Sequence, residues 1–189
     1  SSGSISNITF SLIALNQIED LVKNYVEQRI NAWQTKGEFE KIVMYQERVN
    51  ENSRNKMIDL YQVEAINHFK KMAIDKFDSK SITLQKYDAE NETFLLKLSD
   101  TKSFPLPVPI NEAKSFKQNF NTSLFTNIDM VIKGNTFILS HIEYEKNGNK
   151  YVYDISDKYS YATTTFDYNF DKIDIDIKQS NFSNTIKTS

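Results

Sequence analysis

The sequence predicts an α+β fold: two or three N-terminal helices packed on a twisted antiparallel β-sheet of about five to seven strands. Three observations predict it. Apolar residues recur at helical spacing up to about residue 77, and β-prone runs take over after residue 80. A strong tight-hairpin dipeptide, Asn147-Gly148, separates two of those runs. Helices first and strands afterwards is the order of an α+β domain, not of alternating βαβ units.

The first helix is marked by Leu15, Ile18, Leu21, Val22, Tyr25, Val26, Ile30 and Trp33, with Glu19, Lys23, Asn24, Glu27 and Gln28 on the wet side. Gly37, following Lys36, permits a turn or a helix C-cap. Helical spacing resumes at Phe39, Ile42, Val43, Gln46 and Val49. It weakens in NENSRN (50–55) and returns through Met57, Ile58, Leu60, Tyr61, Ala65, Ile66, Phe69, Met72, Ala73 and Phe77. One bent helix over 38–77 and two helices broken near residue 52 fit this pattern equally. In either case Trp33, Phe39, Val43 and Tyr45 form a junction, and Trp33, Phe39 and Val43 are expected to clamp the helices onto the sheet.

Strands are expected at Ser81–Tyr87 and Glu92–Leu98 around the loop DAEN (88–91). In SFPLPVPI, Pro105, Pro107 and Pro109 share one strand phase, so their missing donors all lie on one edge. The segment pairs through Leu106, Val108 and Ile110 on one side only, as an edge strand or a polyproline-like stretch. A short helix is expected over 111–120, capped by Asn111, with Ala113, Phe116 and Phe120 inward. Further strands follow at Ile128–Lys133, Thr136–Glu145 and Lys150–Ile155. One or two more are expected in the tail from Tyr159 to Lys178, through Tyr161, Thr163, Thr165, Ile173, Ile175 and Ile177. Residues 12–178 are thus expected to form a single domain, helical over 15–77 and mainly β over 80–178. Residues 1–11 are expected to be a disordered linker or processing remnant, and 179–189 a frayed tail.

Composition narrows the function classes. The chain has 189 residues, 39% hydrophobic and 13% aromatic, with net charge −2 and acids and bases interspersed. That balance offers no electrostatic reason for a nucleic-acid partner. With no cysteine, disulfides, thiolate catalysis and zinc–thiolate sites are excluded. No apolar run approaches the roughly 18 residues of a membrane helix, so membrane insertion is not expected. The opening SSGSISN has neither the basic end nor the apolar centre of a signal peptide. Phosphate-binding glycine loops, nucleophile elbows and HExxH are absent, and no cofactor or metal is expected.

The two histidines are the first candidates for chemistry. His68 lies one helical turn after Glu64 and reads as half of a surface pair. His141 shares a strand face with Glu143, but the sequence designates no third residue for a metal site. Asp174 and Asp176 alternate with isoleucines, which puts both carboxylates on one strand face roughly 7 Å apart. That fits a calcium-binding row or a glycosidase-like carboxylate pair, but alternation alone already accounts for it as the solvated acidic face of a half-buried strand. Tyr144, Tyr151, Tyr153, Tyr159, Tyr161, Phe166, Tyr168 and Phe170 could stack on glycans, peptides or bases. Cross-strand pairing accounts for them as well, and only Arg29, Arg48 and Arg54 accompany them in the chain.

WQTKGEFEKIVMYQERVNENSR, together with FLLKL, FPLPVPINEAKSFKQNF and YNFDKIDIDI, resembles an uncharacterised accessory domain of large exported or envelope-associated proteins of Bacteroidetes. That domain often stands at the C-terminal end beside caspase-like or repeat domains. The likeness covers about residues 15–178 and brings no site residues with it. Where the family favours a polar residue after EFEK, this chain has Ile42-Val43-Met44. The resemblance implies an accessory module in the periplasm or cell envelope, part of a larger protein.

The leading expectation is therefore a non-catalytic interaction or scaffolding module with a possible protein partner, its oligomeric state unassigned. The rival is a carboxylate-dependent hydrolase or small-ligand-binding domain. Its ligand candidates are His141, Tyr151, Tyr153, Asp174 and Asp176. A third option, an oligomerising helical stalk, predicts an unpaired apolar stripe on residues 57–77.

Overall fold

The computed structural model describes residues 17–159 and 166–171. The fold is α+β with antiparallel strands. The chain divides into two compact units, Glu19–Asn67 with Phe166–Ser189 and Ser1–Ile18 with His68–Thr165. Three helices come first: α1 (Ile18–Gln34), α2 (Ile42–Arg48) and α3 (Glu51–Asp75). Strands β1 (Thr83–Asp88), β2 (Thr93–Ser99) and β3 (Lys102–Pro107) precede α4 (Ile110–Gln118), and β4 (Phe125–Lys133), β5 (Thr136–Lys146) and β6 (Asn149–Asp154) follow it.

In the helical unit, Val22, Val26 and Ile30 of α1 are fully buried, one per turn, as the 3.6-residue spacing requires. The ambiguity over 38–77 resolves into two helices that break at Val49-Asn50. Asn50 and Ser53 make the break. Ser53 N donates to Asn50 Oδ1 and Asn50 N to Ser53 Oγ, both at 3.0 Å, a reciprocal cap that starts α3. The polar NENSRN segment is thus a helix start and not a weakened helix interior. On α3, Leu60 faces solvent, as does Val63.

The end of α1 shows how the junction is held. An α-helix leaves its last four carbonyls without intrahelical donors. Here Thr35 Oγ1 donates to Asn31 O (2.7 Å) and Thr35 N to Ala32 O (3.3 Å). Arg48 Nη1 reaches Trp33 O, and the buried Tyr45 hydroxyl donates to Gln34 O at 2.9 Å. All four carbonyls are satisfied, two of them by side chains of α2 and its last turn. Gly37 stands in a turn closed by Glu40 N to Gly37 O (3.2 Å), but its φ is not positive, so it is not a left-handed C-cap. Phe39 and Val43 do not clamp anything. They are 93% and 65% exposed, and the residues of this segment that go inward are Tyr45 and Val49.

The tail also departs from expectation. Residues 166–171 form no strand. They run as a strap along the helices, with Asn169 N on Glu27 Oε1 (2.7 Å) and Asp171 N on Asn31 Oδ1 (3.1 Å). Gln34 Nε2 (2.8 Å) and Arg54 Nη2 (3.1 Å) donate to Asp171 O. Tyr168 OH donates to Gln62 Oε1 at 2.5 Å, and Arg54 lies over the Phe170 ring. The strands expected through Tyr161–Thr165 and Ile173–Ile177, and the termini 1–11 and 179–189, lie outside the described residues.

In the second unit the expected single sheet is two three-stranded meanders, β1-β2-β3 and β4-β5-β6. Proline chemistry explains the division. Val108 N donates to Glu92 O (2.8 Å), so Phe104, Leu106 and Val108 turn their backbone amides toward β2. Pro105, Pro107 and Pro109 then occupy the outer edge, where they supply no donors. β6 comes near that edge, with the Phe104 and Tyr153 rings 5.1 Å apart, but no ladder forms. Ile110 is not a strand residue. It begins α4, whose cap position is held by Pro109 in place of Asn111. Both meanders and α4 share one core of Phe94, Leu96, Phe104, Leu106, Phe116, Ile142 and Tyr144. The DAEN turn is held by Asp88, whose carboxylate accepts from Glu90 N, Asn91 N and Asn91 Nδ2. Asn147 (φ 53°) and Gly148 (φ 82°) make the left-handed pair that a two-residue hairpin needs.

Candidate functional site

Two irregularities in the β4–β5 ladder decide which side chains of β5 face out. Met130 pairs with Leu139 but Asp129 with His141, which leaves Ser140 as an extra residue. Strand side chains alternate with period two, so one inserted residue switches the face. Phe137 and Leu139 are buried before the bulge, Ile142 and Tyr144 after it, and His141 and Glu143 take the opposite face. A second irregularity between Thr126 and Asp129 contains Asn127 at φ 50°. Ser140 itself is fully buried. Its carbonyl accepts from Ile155 N at 2.8 Å, while its Oγ has no hydrogen-bond partner among the described residues.

His141 therefore lies between two carboxylates. Its Nδ1 is 3.0 Å from Asp154 Oδ2 on β6, and its Nε2 is 3.4 Å from Glu143 Oε1. Glu143 also accepts from Asn127 Nδ2 (2.6 Å) and Lys150 Nζ (3.0 Å), which lower its pKa, Lys150 most of all. Asp154 accepts from Ser156 Oγ (2.6 Å) and Ser156 N (2.8 Å). Those bonds, with His141, hold its pKa down at about 2. In a nucleophilic relay the imidazole stands between hydroxyl and carboxylate. Here the carboxylate of Asp154 stands between Ser156 and His141, so the imidazole is not placed to take the hydroxyl proton. Among the described residues no group of three or more His, Asp or Glu is placed to hold a metal ion.

Of the other sequence candidates, Tyr151 belongs to the core. Its ring packs on Phe116 and its hydroxyl donates to Glu112 Oε2 at 2.5 Å. Burial and then Glu112 push its pKa up to about 12. Tyr153 does line a cavity. Asp174 and Asp176 lie outside the described residues. The tail aromatics Tyr168 and Phe170 stack on each other within the strap, 5.4 Å apart.

The cavity that Tyr153 lines is an open cleft of about 800 Å³ in the sheet unit. Its apolar lining includes Phe77, Leu98, Phe104, Met130, Phe137 and Leu139. Three lysines also line it: Lys76 just past α3, Lys102 at the start of β3, and Lys133 at the end of β4. His141 is not among the lining residues. The sequence carries no signal for this cleft, because its lining comes from segments spread between residues 73 and 153.

A further candidate surface lies in the helical unit. Phe39, Val43 and Met44 are exposed large apolar residues, and Ile42 is partly so. The segment beneath them is held firmly. Arg48 Nε and Nη2 grip Glu40 Oε1 (2.8 Å) and Oε2 (2.9 Å), Gly37 N donates to Glu40 Oε2 (3.0 Å), and the guanidinium also lies near the Trp33 and Tyr45 rings. This grip holds the Glu40 pKa at about 2, Arg48 contributing first and Gly37 N second.

Glu40 and Asp154 together give an acid dependence with a definite sign. A carboxylate whose folded pKa is depressed adds stability above its unfolded-chain value, here 4.5 for Glu40 and 3.8 for Asp154. That stability disappears as the pH falls through about 2. Thermal unfolding followed by circular dichroism is expected to give a flat midpoint above pH 5 and a steep fall between 4.5 and 2. Glu40→Gln with Asp154→Asn should flatten that fall, and an unchanged acid limb would show that neither carboxylate contributes to it.

The fold and its surfaces define an α+β chain whose described helices include none long and apolar enough to cross a membrane. Comparison with protein families, curated proteins and solved structures finds no match.

Proposed function

We propose that the chain is a non-catalytic protein-interaction module that contacts its partner through the crest formed by Phe39, Val43 and Met44. The observation that carries this is the pairing of exposure with rigidity. Phe39 is 93%, Val43 65% and Met44 58% exposed, yet the backbone bearing them is locked by the Arg48–Glu40 fork and the Tyr45 hydroxyl. Isolated apolar residues at a surface are ordinary, but three large ones within six positions on a held backbone mark an interaction site. Pre-organisation lowers the ordering cost of binding, so a short crest can still bind well. The resemblance to an envelope-associated accessory domain supports an exported or envelope setting within a larger protein, while the apolar Ile42-Val43-Met44 run of the crest is where this chain departs from that domain.

The test is site-specific photocrosslinking. Benzoylphenylalanine at position 43, in the native host, should give a discrete adduct with one protein. Phe39→Ser with Met44→Asp should remove that adduct while leaving the unfolding midpoint within the small range usual for exposed positions, about ±0.5 kcal/mol. Crosslinks no different from those at the exposed Lys117 on α4 would overturn the proposal.

A further inference from the structure

We propose that the cleft of the sheet unit binds a small amphiphilic carboxylate, with its apolar body on the aromatic and aliphatic floor and its head among the rim lysines. This goes beyond the crest as a contact surface and concerns a different unit of the chain. Size is the first argument. At about 800 Å³ the cleft falls within the roughly 300–1,000 Å³ of small-molecule sites.

Chemistry is the second. Phe104, Phe137, Leu139 and Met130 are buried core residues that nevertheless reach the cavity, so its floor is a window onto the hydrophobic core. An apolar ligand body placed there removes such surface from water, which is favourable in proportion to the area covered. Charge is the third. The whole chain is acidic, at −2, but among the described residues the cleft is lined by Lys76, Lys102 and Lys133 against the single carboxylate of Asp78. The three lysines come from the ends of three different elements. Lys133 also lies 5.9 Å from the Tyr159 ring. Beside them Ser99, Thr101 and Ser103 supply hydroxyls for a carboxylate oxygen.

The same features select among anions. No arginine lines the cleft, so the bidentate fork that favours phosphate dianions is missing. Lysine ammoniums on flexible stems suit a single carboxylate, and their own methylenes extend the apolar wall. A cationic or neutral amphiphile of the same length gains the floor without the rim.

The experiment is titration calorimetry on the full chain with dodecanoate, dodecanol and dodecyltrimethylammonium, each below its micelle concentration. Dodecanoate should bind one to one. The alcohol should bind about tenfold more weakly, and the ammonium more weakly still, as the loss of two partly exposed ion pairs implies. Lys102→Glu with Lys133→Glu should weaken dodecanoate by about tenfold and leave dodecanol unchanged. Leu98→Gln should weaken both, while the crest variant Phe39→Ser with Met44→Asp should alter neither. Equal binding of acid and alcohol would overturn the assignment of the head group. Absence of dodecanoate binding to the folded chain, or binding untouched by Leu98→Gln, would overturn the site itself. Neither outcome bears on the crest, whose own test is the crosslink.

Discussion

Phe116→Ala is expected to cost about 3–5 kcal/mol, the range for deleting a buried phenylalanine from a packed core. Phe116 joins α4 to both meanders. Its ring centroid is 5.3 Å from Phe94 on β2, 4.9 Å from Tyr144 on β5 and 5.0 Å from Tyr151 on β6, with Phe120 at 5.9 Å on its own chain segment. Rigid rings cannot collapse far into the space it leaves, so the cavity contribution stays high. The loss also reaches the Tyr151–Glu112 hydrogen bond, which needs α4 seated against β6. Far-UV circular dichroism in urea should show the sheet transition moving to lower denaturant, with a smaller displacement for Phe116→Leu. A change under about 1 kcal/mol would mean that α4 is not part of the cooperative core.

Arg48→Ala should cost the helical unit about 2 kcal/mol. That is toward the lower end for charged hydrogen bonds, because the guanidinium is partly wet. Its removal strips Glu40 Oε1 of its partner, leaves Oε2 with Gly37 N alone, and leaves the Trp33 carbonyl without its donor. It also removes the cation from the faces of Trp33 and Tyr45. Arg48→Lys should recover less than half, since an ammonium cannot serve the carboxylate fork and a helix-end carbonyl at once. The only tryptophan sits in this junction, so urea unfolding followed by its fluorescence measures the effect locally. If lysine restored the midpoint fully, charge alone and not fork geometry would hold the turn. Release of the crest should accompany the loss, because Phe39 and Val43 ride on the segment that Arg48 anchors.

The candidate surfaces were legible to very different degrees. Phe39 and Val43 stand out in the sequence as apolar residues at helical spacing, but as a clamp onto the sheet and not as a surface. Their direction was misjudged. Periodicity says that residues share a face but not whether that face meets core or water, and here Tyr45 and Val49 took the inward side. His141 and Glu143 share a strand face as their spacing requires, but Asp154 enters through the β5–β6 register, thirteen residues away. The cleft lysines had no local signal at all, because a lysine at the end of a strand looks the same whether it borders a cavity or open solvent.

By itself the sequence determined the elements that depend on near neighbours. The buried stripe of α1, the Asn147-Gly148 hairpin, the proline-edged strand and the order of helices before strands all follow from spacing and backbone chemistry within a few residues. Only the tertiary structure decided that the strands form two meanders, that Ser140 turns His141 outward, and that Arg48 closes the end of a helix fifteen residues back. Each of these depends on which distant group occupies a given edge, face or carbonyl. Local propensity is set by the residue and its near neighbours, whereas that occupancy is set by packing of the whole unit.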